Sequence, residues 1–250
     1  MSLRAWASAL LLLPGCFASA PGDQDPQGDL LHGLALTWKS SGNALLISPY
    51  EVTRSEYYSA DTPLEQGHLP ATGMTLAAAA QWADARGGRL LTEEEWFEII
   101  WWPAGSGARA AGNTMELGMG RPLPVGVFES SRTTDGLYDT TGNVWEWVQG
   151  SSQEDLCVGG SYASYAVSVT RTLSSGDSSE DIGFRWCAPL ASFCTEALFP
   201  AWQESPQRVQ QSVNALRQRS SGAIWSLARK ELEKNSAYPK AFLALFHETQ

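Results

Sequence analysis

Histidine is nearly absent from this chain: His32, His68 and His247 are the three among 250 residues, and they are widely scattered. A metal site built on imidazoles is therefore not expected. Cysteine is sparse too, with four residues and no Cys-x-x-Cys pair. Positive charge is in deficit, 17 Lys and Arg against 27 Asp and Glu. Such a balance argues against nucleic acid as a partner and is compatible with divalent cations. No internal repeat is visible, and beyond residue 16 no apolar run is long enough to span a bilayer. What the chain has in quantity is tryptophan, 11 residues, together with 23 glycines and 13 prolines. That composition favours a loop-rich fold pinned by aromatics over a helix bundle.

The charge is unevenly placed. Residues 17–203 carry 9 basic and 23 acidic side chains, a net of −14, whereas 204–250 carry 7 and 4, a net of +3. At the N-terminus Arg4 precedes an apolar run from Ala5 to Leu13, ending in Leu13-Pro14-Gly15-Cys16. This has the order of a secretory signal, and its end resembles a bacterial lipobox. The resemblance implies cleavage before Cys16, acylation of Cys16, and export to the periplasm or outer membrane; without acylation the chain is secreted. Residues 17–29, rich in Pro, Gly, Asp and Gln, read as a flexible tether. In an exported chain Cys157, Cys187 and Cys194 are free to form disulfides. Three is odd, so one bridge and one free thiol is the simplest count, with Cys157–Cys187 and Cys187–Cys194 both open.

Along the chain, Leu34–Lys39 and Ala44–Ser48 read as strands around a Ser-Ser-Gly-Asn turn. Thr53, Thr75 and Thr92 read as helix N-caps, Thr53 and Thr92 with a Glu three residues on. Pro103 to Pro124 reads as a long surface loop and Val125–Phe128 as a short strand. Strands are expected over 157–162, 166–173 and 181–187. Beyond Pro200 the spacing of Val209, Val213 and Leu216, and of Ile224, Leu227 and Leu232, predicts two helices divided at Ser220-Ser221-Gly222. This appendage, 204–250, is too short for a core of its own and is expected to pack on the body or on a partner.

The most informative stretch is Asp135-Gly-Leu-Tyr-Asp-Thr-Thr-Gly-Asn-Val-Trp-Glu-Trp147. Gly142-Asn143 reads as a turn feeding a short strand in which Trp145 and Trp147 face one way and Val144, Glu146 and Val148 the other. Glu146 is then either a solvated edge residue or a carboxylate held inside.

Together with Glu51-Val52-Thr53, Gly88–Trp96, Gly159-Gly160-Ser161-Tyr162 and Ile182-Gly183-Phe184-Arg185, this stretch resembles the formylglycine-generating enzyme, or sulfatase-modifying factor, domain over about residues 30–195. The resemblance implies an α+β, C-type-lectin-like fold, loop-rich with short strands, here followed by the C-terminal helices. The family's enzymes oxidise a sulfatase cysteine to formylglycine using oxygen and copper held by two cysteines. Ser164 and Val169 occupy the matching positions, while Ser161 and Arg171 still fit the pattern. Neither a serine hydroxyl nor valine supplies the thiolate that Cu(I) requires. Copper catalysis is therefore not expected here, and a binding or structural module of the envelope is. An active oxidoreductase of the family, including the kind that acts in pyoverdine maturation, is the alternative. The resemblance also implies a structural calcium ion held by Thr141, Gly142, Val144 and Glu146, with a second site beginning at Asn113. The partner expected is an envelope protein, a peptide or a glycan.

Overall fold

The computed structural model describes residues 29–58, 62–101, 112–129, 132–150 and 155–247. The signal, Cys16 and the tether up to residue 28 lie outside the described residues, as does 102–111 of the expected long loop.

Two small sheets carry the fold. In the first, β1 (Ala35–Trp38) and β2 (Ala44–Ile47) form the expected hairpin, with Trp38 opposite Ala44. Gly42 turns the corner at φ 88°, a region open to glycine. Strands β3 (Arg89–Leu90) and β8 (Trp186–Pro189) complete the order β1-β2-β8-β3. In the second sheet, β4 (Trp145–Val148) lies between β5 (Asp155–Val158) and β7 (Ile182–Phe184), and β6 (Thr170–Leu173) is an edge. β4 pairs antiparallel with β5 and parallel with β7. All four residues of β4 are buried, so Glu146 is a carboxylate held inside.

The single strand expected over 181–187 is in fact two. The chain leaves the second sheet after Phe184 and enters the first at Trp186, with Arg185 at the crossing. The segment after β2 follows it across: the Ser48 amide donates to the Trp186 carbonyl (2.9 Å) and the Val52 amide to that of Phe184 (2.8 Å). A second correction concerns Val125–Phe128, which is a turn and not a strand. Gly126 takes φ 77°, and a side chain there would lie 2.4 Å from the Tyr50 ring. Extended pairing is incompatible with that backbone.

The helices follow their caps. Thr53 and Glu56 bond each other reciprocally at the start of α1 (Arg54–Tyr58). After it the chain makes a short α2 (Leu64–Gly67). Thr75 caps α3 (Leu76–Asp84), whose Ala79 and Ala83 are buried. Thr92 and Glu95 form a capping box at α4 (Glu93–Trp96), which widens into a π-turn through Trp101 and buries Trp96, Ile99 and Ile100. Glu95 also receives Arg89 (2.6 Å) and Lys39 (2.7 Å). Burial works to raise its pKa, but these bonds and that from Thr92 hold it down at about 2.

After β8 the chain is helical: α5 (Leu190–Phe193), a π-turn to Leu198, α6 (Phe199–Glu204), α7 (Pro206–Arg219), α8 (Gly222–Leu232) and α9 (Lys240–Leu243). Val209, Val213, Leu216, Trp225, Leu232, Phe242 and Phe246 are buried in the same core as the strands. The helical end therefore packs on the body, against β1 and β2. Hydrogen bonds pin it there, from the Ala44 amide to Glu231 (2.6 Å) and from the Leu30 amide to the Ser212 hydroxyl (3.0 Å). Among the described residues no helix is long and apolar enough to cross a membrane.

The expected disulfide is absent. Cys157, Cys187 and Cys194 are all free thiols, each in the interior. Parity of the cysteine count cannot see this, because burial in apolar surroundings satisfies a thiol as well as a partner does. Native protein should accordingly react slowly with a thiol reagent at these three positions, and denatured protein should expose all three at once. A reduction-sensitive shift in gel mobility would contradict this arrangement.

Candidate functional site

The turn at Gly142-Asn143 is built by backbone that few residues tolerate. Gly142 has φ 75°, and a side chain on it would lie 2.3 Å from the Asn113 carbonyl. Asn143 takes φ 60°, which Asn accepts more readily than most residues. Its buried amide is fully used. The oxygen accepts from Asn113 Nδ2 (3.1 Å) and the Leu123 amide (2.9 Å), and Nδ2 donates to Glu51 (3.1 Å) and the Leu123 carbonyl (3.3 Å). The turn thus gathers three distant segments before delivering β4.

Three residues on, in β4, Glu146 meets Arg185. The guanidinium Nη2 lies 2.9 Å from Glu146 Oε1, with side chains only 3% and 0% exposed. Arg185 Nε reaches both carboxylate oxygens (3.2 and 3.3 Å), Nη1 donates to the Ser48 carbonyl (2.8 Å), and Nη2 also donates to that of Tyr138 (2.8 Å). Trp96 Nε1 donates to Glu146 Oε2 at 2.9 Å. A buried ion pair survives only with such additional bonds. Arg185 lies where the chain changes sheets, so one guanidinium ties both sheets and two loops to β4.

Two more carboxyls share this interior. Asp139, at φ 53°, accepts from the Gly126 amide. Glu51 Oε2 and Asp139 Oδ1 are both buried without a hydrogen-bond partner. Buried carboxyls that face one another resist ionising together. Burial, then Asp139 and Glu146, push the Glu51 pKa well up against the pull of Arg185. Burial raises Asp139 to about 6, opposed by the Gly126 amide and Arg185. The resulting set is three buried acids around one guanidinium, two of the acids pushed toward the protonated form.

This arrangement bears directly on calcium. The Glu146 carboxylate faces a guanidinium and an indole N–H, and both oxygens are occupied by donors. The Thr141 carbonyl is pressed against Gly112, where an added side-chain carbon would overlap it at 1.8 Å. Gly142 and Val144 lie at the turn as expected, but the carboxylate that a hard cation needs is committed elsewhere. The residues Thr141, Gly142, Val144 and Glu146 therefore do not fit calcium in the manner the resemblance implies. Asn113 Oδ1 is buried without a partner, yet Asn113 Nδ2 serves Asn143 and the Arg121 carbonyl. Among the described residues no group of three His, Cys, Asp or Glu is arranged to hold a metal.

The second region lies between β5 and β6. Ser161, buried, donates from Oγ to Asp181 (2.9 Å), which also receives Ser179 (2.6 Å) and Arg171 (3.2 Å). Ser164 Oγ accepts from the Ser161 amide (2.8 Å) and donates to its carbonyl (3.2 Å). Ser161, Ser164, Asp181 and Arg171 are thus brought into one polar latch, with Val169 on the strand side, its carbonyl accepting from the Gly159 amide (3.0 Å). The Cys157 thiol touches this latch only through the backbone, donating to the Arg171 carbonyl at 3.5 Å. Burial pushes the thiol pKa values of Cys157 and Cys187 up to about 12, and that of Cys194 higher still. The Met115 amide donates to the Ser164 carbonyl, and the Glu116 carboxylate accepts from the Ala166 amide. These bonds set a short helical turn, Met115–Leu117, beside the loop 161–169. Met115, Leu117, Met119, Tyr165 and Val167 are all exposed on these two segments, Val167 at 86%. The bonds from Met115 to Ser164 and from Ala166 to Glu116 thus hold two segments that carry exposed apolar side chains next to each other.

Arg185, Asp139 and Asp181 carry these networks without having been singled out by spacing. A lone arginine inside the apolar run Ile182–Cys187 was the available signal.

Comparison with protein families matches residues 38–189 to the sulfatase-modifying factor enzyme 1-like domain. No curated protein matches. Among solved structures, Treponema denticola variable protein 1 is similar at 18% identity, covering 58% of this chain and 84% of its own, with a TM-score of 0.50. CarF is similar at 19% identity (58% and 86% covered, TM-score 0.49), and PvdO from Pseudomonas aeruginosa at 21% (58% and 80%, TM-score 0.47). At these identities the likeness is one of fold.

Proposed function

The chain belongs to the sulfatase-modifying factor enzyme 1-like domain family, with its α+β, C-type-lectin-like fold, and on that premise we propose that it is an exported binding module, anchored in the cell envelope through Cys16, that does not perform the family's copper-dependent oxidation. The observation that carries this reading is the chemistry at the positions matching the catalytic thiols. Ser164 is engaged with Ser161, Val169 offers no ligand, and the three thiols of the described residues are buried. Soft Cu(I) needs accessible thiolates. The exposed Met115, Leu117, Tyr165 and Val167 beside the latch suit an envelope protein or peptide better than a glycan.

Purified chain competed against a chromophoric Cu(I) chelator should retain no stoichiometric copper. A peptide bearing a sulfatase motif should keep its cysteine when incubated with the chain under oxygen. Tyr165→Asp with Val167→Asp should release a co-purifying envelope partner without shifting the melting temperature. Copper held one-to-one through thiols, or formylglycine in the peptide, would overturn the reading.

A further inference from the structure

The helical end has a face that the proposed function leaves unused. In α8, Trp225, Ala228 and Leu232 are buried against the body. Ala223, Leu227 and Lys230, and Lys234 just past the helix end, follow at i, i+4, i+7 and i+11, which places them on the opposite face. All four are exposed, Leu227 as one of the exposed large apolar side chains. The acids on the flanks are occupied: Glu231 accepts from the Ala44 amide, and Glu233 lies 3.5 Å from Arg229 and 3.4 Å from His247. Neither Lys230 nor Lys234 has an ion-pair partner among the described residues, and Lys240 is exposed at the start of α9. The outward stripe is therefore basic and apolar, without an acid.

Position adds a second argument. The described chain begins at Asp29, and Asp29 is held by Arg219 at the end of α7, the helix that leads into α8 (3.3 Å). The Leu30 amide bonds Ser212 on the same helix. Residues 17–28 alone separate this point from Cys16. Fully extended they reach at most about 40 Å. An acylated Cys16 would keep the helical layer within that distance of the lipid. Charge then selects the face: the −14 of residues 17–203 is repelled by anionic headgroups, and the +3 of residues 204–250 is attracted.

Resting on the anchored reading above, we infer that the outward face of α8, with Leu227 followed by Lys230 and Lys234, is a lipid-contact surface that lies on anionic headgroups. Lysines at such a surface supply salt-sensitive attraction, and a leucine beside them enters the headgroup boundary. The acidic body, with Tyr165 and Val167, would then be held by this contact in a fixed orientation.

The test uses the full acylated chain on phosphatidylcholine vesicles with and without phosphatidylglycerol. A polarity-sensitive fluorophore on Leu227→Cys should shift blue only when phosphatidylglycerol is present and revert in high salt. The same label on Val167→Cys should not respond. Independently, the unacylated Cys16→Ser chain should sediment with the anionic vesicles at low salt. Lys230→Gln with Lys234→Gln should weaken that by about 25-fold, roughly fivefold per lysine. A Leu227 signal indifferent to phosphatidylglycerol, or sedimentation unchanged by the double variant, would overturn the inference. If the wild-type chain is not acylated, the anchored reading falls, and the Cys16→Ser measurement still decides the face.

Discussion

Replacing Arg185 by methionine should cost at least about 3–5 kcal/mol, the range for breaking one side of a buried ion pair. The loss extends beyond one contact. Glu146 would keep only the Trp96 indole as a donor, and the Ser48 and Tyr138 carbonyls would lose their bonds. Such a loss approaches the whole stability of an ordinary domain. Lysine should not rescue it, because an ammonium cannot make the forked contacts of a guanidinium. The double variant Arg185→Met with Glu146→Met should recover part of the loss, since it leaves no unpaired charge inside. Denaturant unfolding, or expression where the single variant is insoluble, measures this. A single variant within about 1 kcal/mol of the parent would show that the pair does not hold the sheets together. In the same experiments chelator should leave the parent's melting temperature unchanged, because the guanidinium already stands where a cation would compensate Glu146.

Stability should also fall as the pH rises from 5 to 8, the opposite of the trend set by salt-bridged carboxylates. Asp139 titrates at about 6 in the folded protein against an ordinary 3.8, and Glu51 is raised well above its ordinary value. An acid whose folded pKa is raised favours folding below its unfolded pKa. It loses that contribution as the pH climbs through the folded value. Glu51, the more strongly raised of the two, carries the effect to higher pH, and the two acids titrate as a coupled set. Glu95 works in the other sense: held at about 2, it contributes above the ordinary carboxylate range and is lost on strong acidification. Maximum stability is therefore expected near pH 5. Glu51→Gln should flatten the alkaline limb, because the amide removes one titrating acid from the cluster. A melting temperature constant from pH 5 to 8, or an alkaline limb unchanged in Glu51→Gln, would contradict the protonated state of these buried acids.

Much of the local structure could be read in advance, and for a common reason. Thr53, Thr75 and Thr92 each accept from the amide three residues on, so each cap is complete within its own segment. The β1–β2 hairpin is likewise set by a short turn between two apolar runs. The errors share a cause as well. Val125–Phe128 was read as a strand because its side chains are apolar, but the Tyr50 ring, far away in sequence, occupies the space beside Gly126. Residues 181–187 were read as one strand because nothing local marks the change of sheet at Arg185. Three cysteines suggested a bridge, whereas the fold buries each thiol apart from the others.

The sequence alone determined the family, through the Gly-Asn-Val-Trp-Glu-Trp turn and its companion motifs, and the resemblance is what matches Ser164 and Val169 to the positions of the family's thiols. Those are matters of which residue sits at which position in the chain. The meaning of Glu146 was decided only by tertiary structure. Its partners, Trp96 and Arg185, lie 50 and 39 residues away, and whether a buried carboxylate meets a metal, a proton or a guanidinium depends on what the fold brings within 3 Å of it. Here the fold brings the guanidinium.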